Sequence, residues 1–90
     1  MRTVKFYCGQ NNKTKKVEKS KIQKIVSKHF DGFSLIESTG FYKGLREKSV
    51  IVEVLTDKKL SDLLSIKEEL RLSLAQESVL MTSESTNSYF

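Results

Sequence analysis

FSLIESTGFYKG at 33–44 and EKSVIVEVL at 47–55 are the two runs whose reading decides the fold. Each is rich in β-branched and aromatic residues, and the polar GLRE turn (44–47) between them predicts a hairpin. In the second run Val50, Val52 and Val54 share one face while Ile51 and Leu55 share the other, the pattern of a central strand whose second face is partly covered. In the first run the alternation is broken by Gly40, and a glycine inside a strand pattern predicts a bulge.

Helical patterns flank this pair. Upstream, Val4, Phe6 and Cys8 alternate with Thr3, Lys5 and Tyr7, which predicts a first strand half buried against a core. Gly9, Gln10, Asn11 and Asn12 read as a loop. Ile22, Ile25, Val26, His29 and Phe30 then stand at the spacing of one helical stripe, with Lys21, Lys24 and Lys28 on the opposite side. Asp31-Gly32 is expected to end that helix, with glycine in the left-handed cap. Downstream, Leu60, Leu63, Ile66, Leu70 and Leu74 predict a helical segment from Asp57 to about Ala75. Within it, Ser65-Ile66-Lys67-Glu68 fits a capping box, so a short turn followed by the main helix is expected. ESVLMTSE (77–84) reads as a fourth strand with Val79 and Met81 inward.

The resulting order β-α-β-β-α-β is that of the α+β ferredoxin-like sandwich, a four-stranded antiparallel sheet with two helices on one face. One domain over residues 1–84 is expected, with 85–90 as a frayed tail or a returning edge strand. A chain of 90 residues has room for one core and excludes a cleft between domains. No window approaches the roughly 18 apolar residues of a membrane helix and the N-terminus has no signal-peptide pattern, so a cytoplasmic protein without membrane partners is expected. The lone Cys8 permits no internal disulfide, in keeping with a reducing compartment.

Charge is unevenly placed. Residues 1–30 hold nine basic residues against Glu18 alone, a net of +8, while the rest of the chain carries seven basic and ten acidic residues. Such a field attracts nucleic acid, an acidic protein surface or anionic lipid alike. The lysines Lys13, Lys15, Lys16, Lys19, Lys21, Lys24 and Lys28 are the candidate anion or nucleic-acid contacts. The basic-Gly-aromatic-Gly-aromatic run of RNA-recognition sandwiches is absent, and Tyr7 is the clear aromatic on the open face of the first strand.

Catalytic groups are thinly supplied. His29 falls in an apolar helix stripe and reads as a packing residue, and Cys8 closes an inward strand pattern and reads as a small buried hydrophobe. One Cys and one His fall short of a zinc ligand set, so no metal and no cofactor are expected. Gly40-Phe41-Tyr42-Lys43-Gly44 lies between strands, where a phosphate loop cannot form, and reads as a hairpin whose Tyr42, Lys43 and Arg46 could grip a partner or an anion.

Phe6-Tyr7-Cys8-Gly9, Gly40-Phe41-Tyr42, Glu47-Lys48-Ser49 and Gln76-Glu77-Ser78-Val79-Leu80 together resemble an uncharacterised family of small ferredoxin-like proteins of bacteria and their phages. The resemblance spans nearly the whole chain and implies the fold; that family has no established activity to lend. It also implies that Glu47, Ser49, Gln76, Glu77 and Ser78 sit at adjacent strand ends.

These readings lead to an expected non-enzymatic binding protein, a phage or mobile-element accessory that modulates a host protein complex, for instance as an anti-defence inhibitor. Ile36, Ile51 and Leu55, with Leu80, would form its apolar docking face for a protein partner or a homodimer through the sheet. The alternatives are an oligomeric nucleotide- or anion-binding protein, with its site near Tyr42, Lys43, Arg46 and the Gln76–Ser78 turn, and an RNA or DNA module using the basic N-terminal third.

Overall fold

Alternation forms the first strand: in β1 (Arg2–Gly9) Val4, Phe6 and Cys8 are completely buried while Thr3, Lys5 and Tyr7 face away. A computed structural model describes residues 1–89, in which β1 is followed by α1 (Lys19–Ser27), β2 (Ser34–Tyr42), β3 (Leu45–Thr56), α2 (Leu60–Ser73) and β4 (Leu80–Ser85). The strands pair antiparallel in the order β2-β3-β1-β4. This is the α+β sandwich expected from the sequence, with both helices on one face of the sheet.

The core fills the space between sheet and helices. Phe6, Val50, Val52 and Val54 meet Ile22, Ile25 and Val26 of α1 and Leu63, Ile66 and Leu70 of α2. Fully burying such side chains contributes about 1.5–3 kcal/mol each, which is what holds two short helices without side-chain N-caps in place.

Several local expectations are corrected. The helix α1 ends at Ser27, not at Asp31-Gly32, and Gly32 has no left-handed angle. Lys28, His29 and Phe30 instead donate to Ile25 and Val26 carbonyls, a tightened last turn that drops Phe30 onto the core. The capping box at Ser65 does not form: α2 is continuous from Leu60, and Ser65 lies inside it. Gly40 makes no bulge, since the β2-β3 register runs unbroken from Ser34 opposite Glu53 to Tyr42 opposite Leu45. The turn is the two residues Lys43 and Gly44, both at positive φ (51° and 77°), so β3 starts earlier than the GLRE reading predicts. Beyond β4, the Thr86 amide donates to the Met1 carbonyl and its hydroxyl bonds Thr3, tying the chain to β1. Phe90 lies outside the described residues.

Directly opposed residues share a face, so the register defines the helix-free surface. Ile36, Ile51, Tyr7 and Leu80 form one row across all four strands, with Ser38, Ser49 and Gly9 in the next row and Gly40 and Glu47 beyond. The row is largely apolar and incompletely covered: Ile36 is 42% exposed and Leu80 61%.

Candidate active site

A hollow of about 470 Å³ lies on the helix-free face, at the sheet end where β1 finishes, the β2-β3 hairpin projects and the chain enters β4. Gly9 makes its floor. A Cβ there would stand 3.0 Å from Gln76 Oε1 and 3.2 Å from Glu47 Oε1, so only a glycine lets those two side chains converge. Gly40, directly opposite Glu47, keeps the neighbouring wall low.

The α2-β4 connection delivers the second wall. Gln76 N donates to the Arg71 carbonyl and Ala75 N to that of Leu72, the paired bonds of a Schellman turn. Ala75 takes the left-handed position (φ 52°) where glycine is usual. Gln76 emerges from this turn with its Nε2 donating to the Gln10 and Leu74 carbonyls at 2.8 and 3.3 Å. Gln10 in turn accepts from the Lys48 amide. Two loops and the hairpin are thereby locked together around the hollow.

Chemically the hollow pairs carboxylates with aromatic and apolar walls. Tyr7 and Leu80 stand opposite each other on β1 and β4, and the Tyr42 hydroxyl donates to Glu77 at 3.4 Å. Among the described residues neither Glu47 nor Glu77 makes an ion pair. Such a site suits a ligand with a flat aromatic part, hydroxyl donors and positive charge. Glu47, Ser49, Gln76, Glu77 and Ser78, grouped by the family resemblance, all line it. Tyr7 and Gly9, like Asn12, Gly40 and Phe41, line the hollow without having been singled out as site residues by the sequence reading; for the first two a local signal exists. Their signal is a glycine following an outward aromatic at the end of an alternating strand.

The remaining candidate residues are divided among different surfaces. Tyr42 borders the hollow with the Lys43 ammonium over its ring at 5.2 Å. Arg46, paired with Phe41, stands on the opposite face. Ile36 and Ile51 are direct neighbours on the helix-free face, and Leu55 lies further along β3 opposite Thr3. Of the lysines, Lys13, Lys15 and Lys16 precede α1 in a loop, while Lys19, Lys21 and Lys28 pair with Glu37, Glu18 and Glu69. Lys24 is exposed on α1.

Cys8 is fully buried, and burial pushes its thiol up to about 12, so it is a core residue and no nucleophile. His29 is half-buried and bonds Glu69 at 2.9 Å, away from the hollow. Among the described residues no three His, Cys, Asp or Glu side chains could hold a metal, and no helix is long and apolar enough to cross a membrane.

No family model and no curated protein matches the sequence. Solved structures do match. A phage SAM lyase in its apo state superposes with a TM-score of 0.71 at 18% identity, covering 92% of this chain and 78% of the lyase chain. A phage SAM lyase in complex with S-methyl-5'-thioadenosine superposes at 0.70 with 20% identity, covering 92% and 79%. The chain shares their fold. The finding overturns the expectation of a non-enzymatic module acting on a host complex. That expectation rested on the scarcity of His and Cys, and this sandwich houses an enzyme in chains of similar size.

Proposed function

We propose that this protein is a lyase acting on S-adenosylmethionine, and that the hollow between Gly9, Glu47, Gln76 and Tyr42 is its active site. The observation carrying the reading is the convergence of two carboxylates, without an ion pair among the described residues, with aromatic and apolar side chains on this fold. S-adenosylmethionine presents a flat base, a ribose diol and an ammonium, each with a counterpart in that set.

The chemistry also explains why so few catalytic groups suffice. S-methyl-5'-thioadenosine is S-adenosylmethionine without its aminocarboxypropyl group, so the bond that breaks joins sulfur to that group. The electron pair goes to sulfur, and the leaving group is a neutral thioether that needs no general acid. The carbon left behind completes its valence within its own fragment, by attack of that fragment's own carboxylate as the carbon–sulfur bond breaks, which closes a lactone ring; no water is added and no proton has to be accepted. Positive charge at sulfur disappears as the bond breaks, so weakly polar walls such as Tyr7 and Leu80 favour the transition state over the bound sulfonium. Glu47 is best used elsewhere, on the ribose hydroxyls or the substrate ammonium, because a carboxylate against the sulfonium would stabilise the ground state. The apolar row Ile36, Ile51, Tyr7 and Leu80 runs beside the mouth, and a second copy seated there would exclude water from it.

Purified protein incubated with S-adenosylmethionine should release S-methyl-5'-thioadenosine, followed by chromatography, with a four-carbon co-product of lyase mass rather than its hydrate. Glu47→Gln should lower the rate about a hundredfold, as loss of a charged positioning contact does. Absence of both turnover and S-methyl-5'-thioadenosine binding would overturn the reading.

A further inference from the structure

The basic groups of this protein are treated in two different ways. On α1 and at its C-cap, Lys19, Lys21 and Lys28 each have a carboxylate within 4 Å, and Lys24 makes no ion pair among the described residues. On the helix side of the projecting hairpin the pairing stops: among the described residues Lys13, Lys15, Lys16, Arg46 and Lys48 make no ion pair. Two hollows, of about 620 and 680 Å³, meet along Thr39, Arg46 and Lys48, the first bounded by Lys16 and the second by Lys15. They form one groove between the hairpin and the loop that precedes α1. Of the carboxylates on its margin, Glu37 is engaged by Lys19, and Glu47 belongs to the opposite face of the sheet.

The loop is built rather than slack. The Asn11 side-chain oxygen accepts from the Lys13 and Thr14 amides at 2.8 and 3.1 Å, and the Asn11 backbone exchanges bonds with Lys15 and Lys16 at 2.8 Å each. Lys15 is held at φ 60°, a left-handed angle that a lysine adopts at a cost. A fixed backbone thus presents Lys15 and Lys16 across from Arg46 and Lys48. Like charges gathered on a fixed frame repel one another, and an extended anion in the groove would relieve that repulsion.

We propose that this groove binds a chain of closely spaced phosphates. Arg46 offers a planar fork for phosphate oxygens and the lysines offer point charges on both banks. The groove is extended and multiply charged, which fits a run of phosphates better than a single carboxylate. The same chemistry is supplied by a free oligophosphate or by a nucleic-acid backbone.

Calorimetry with inorganic tripolyphosphate at low salt tests the proposal, with a labelled oligothymidylate followed by anisotropy as the second arm. Tripolyphosphate should bind, and the triple variant Lys16→Ala, Arg46→Ala, Lys48→Ala should weaken binding about tenfold or more. A Lys21→Ala, Lys24→Ala variant, which removes charge from α1 instead, should bind as the wild type does. Oligothymidylate that binds with a steep salt dependence and is displaced by tripolyphosphate identifies the nucleic-acid source. Tripolyphosphate binding alone identifies the free one. Failure of both probes to bind, or equal weakening in both variants, would overturn the groove as a site. Neither arm contains S-adenosylmethionine, so a failed lyase assay leaves this result standing and the reverse holds too.

Discussion

Replacing Gly9 with alanine should separate the site from the stability of the fold. The new methyl would stand 3.0 Å from Gln76 Oε1 and 3.2 Å from Glu47 Oε1, and both atoms are side-chain ends rather than backbone. Gln76 is not free to withdraw without cost, because its Nε2 is bonded to the Gln10 and Leu74 carbonyls, so displacing it weakens bonds worth about 1 kcal/mol each. Against this, alanine reduces the freedom of the unfolded chain, a gain of about 0.4–1 kcal/mol, and Gly9 has no positive φ to forbid it. The two effects oppose each other and leave a net cost of at most about 1 kcal/mol when the bonds are weakened but kept. Urea unfolding should therefore place Gly9→Ala within about 1 kcal/mol of the wild type. The site should respond differently, because the methyl fills the floor on which Glu47 and Gln76 converge. Calorimetry should show S-methyl-5'-thioadenosine binding about tenfold or more weaker, a loss of about 1.4 kcal/mol. Unchanged ligand affinity would refute Gly9 as the floor of the site. A destabilisation above about 3 kcal/mol would refute the claim that its neighbours can shift.

Other perturbations test the frame around the site. Leu63 is fully buried between α2 and the sheet, so Leu63→Ala should cost about 2–5 kcal/mol and lower Tm by 10 °C or more in a thermal melt, about 4–8 °C per kcal/mol. Ala75 occupies the left-handed cap of α2, and Ala75→Gly should raise stability by a net of about 0.5 kcal/mol, relief of backbone strain outweighing added unfolded-state entropy; a fall would mean that the methyl packs usefully. Hydrogen bonds from Lys28 and then His29 hold the Glu69 carboxyl below the usual carboxylate range. A lowered folded value means that its contribution is complete above the unfolded pKa and is lost as pH falls through the folded one. Urea unfolding across the acid range should show a shallower loss for Glu69→Gln than for the wild type, by under about 1 kcal/mol because the pair is exposed; identical acid limbs would contradict it.

Most of the fold was legible because short-range pattern and long-range burial agree in it. Val4, Phe6 and Cys8 alternate and are buried, and Ile22, Ile25 and Val26 keep helical spacing and are buried. Element ends were less legible. The close of α1 depends on Phe30 reaching the core, and the start of β3 depends on a two-residue turn in which Lys43 accepts a left-handed angle, which lysine does not advertise. The site was partly legible: Glu47, Gln76 and Glu77 stood out as residues at strand ends, but nothing local tied them to Gly9 and Tyr7. The scarcity of His and Cys, one of each, pointed away from an enzyme because most acid-base chemistry needs them, whereas the proposed expulsion of a neutral thioether does not.

By itself the sequence determined the order of elements, the faces they bury and the concentration of positive charge near the N-terminus, since these follow from periodicity and composition. Only the tertiary structure decided which distant residues meet. Antiparallel register sets Gly40 against Glu47 and Tyr7 against Leu80, and the Schellman turn at Ala75 carries Gln76 to within reach of Gly9. The same folding divides the lysines, pairing Lys19 and Lys21 of α1 while Lys15 and Lys16, across from Arg46 and Lys48, make no ion pair among the described residues. Convergence of this kind is a property of contacts between residues far apart in the chain, and no local pattern of side chains encodes it.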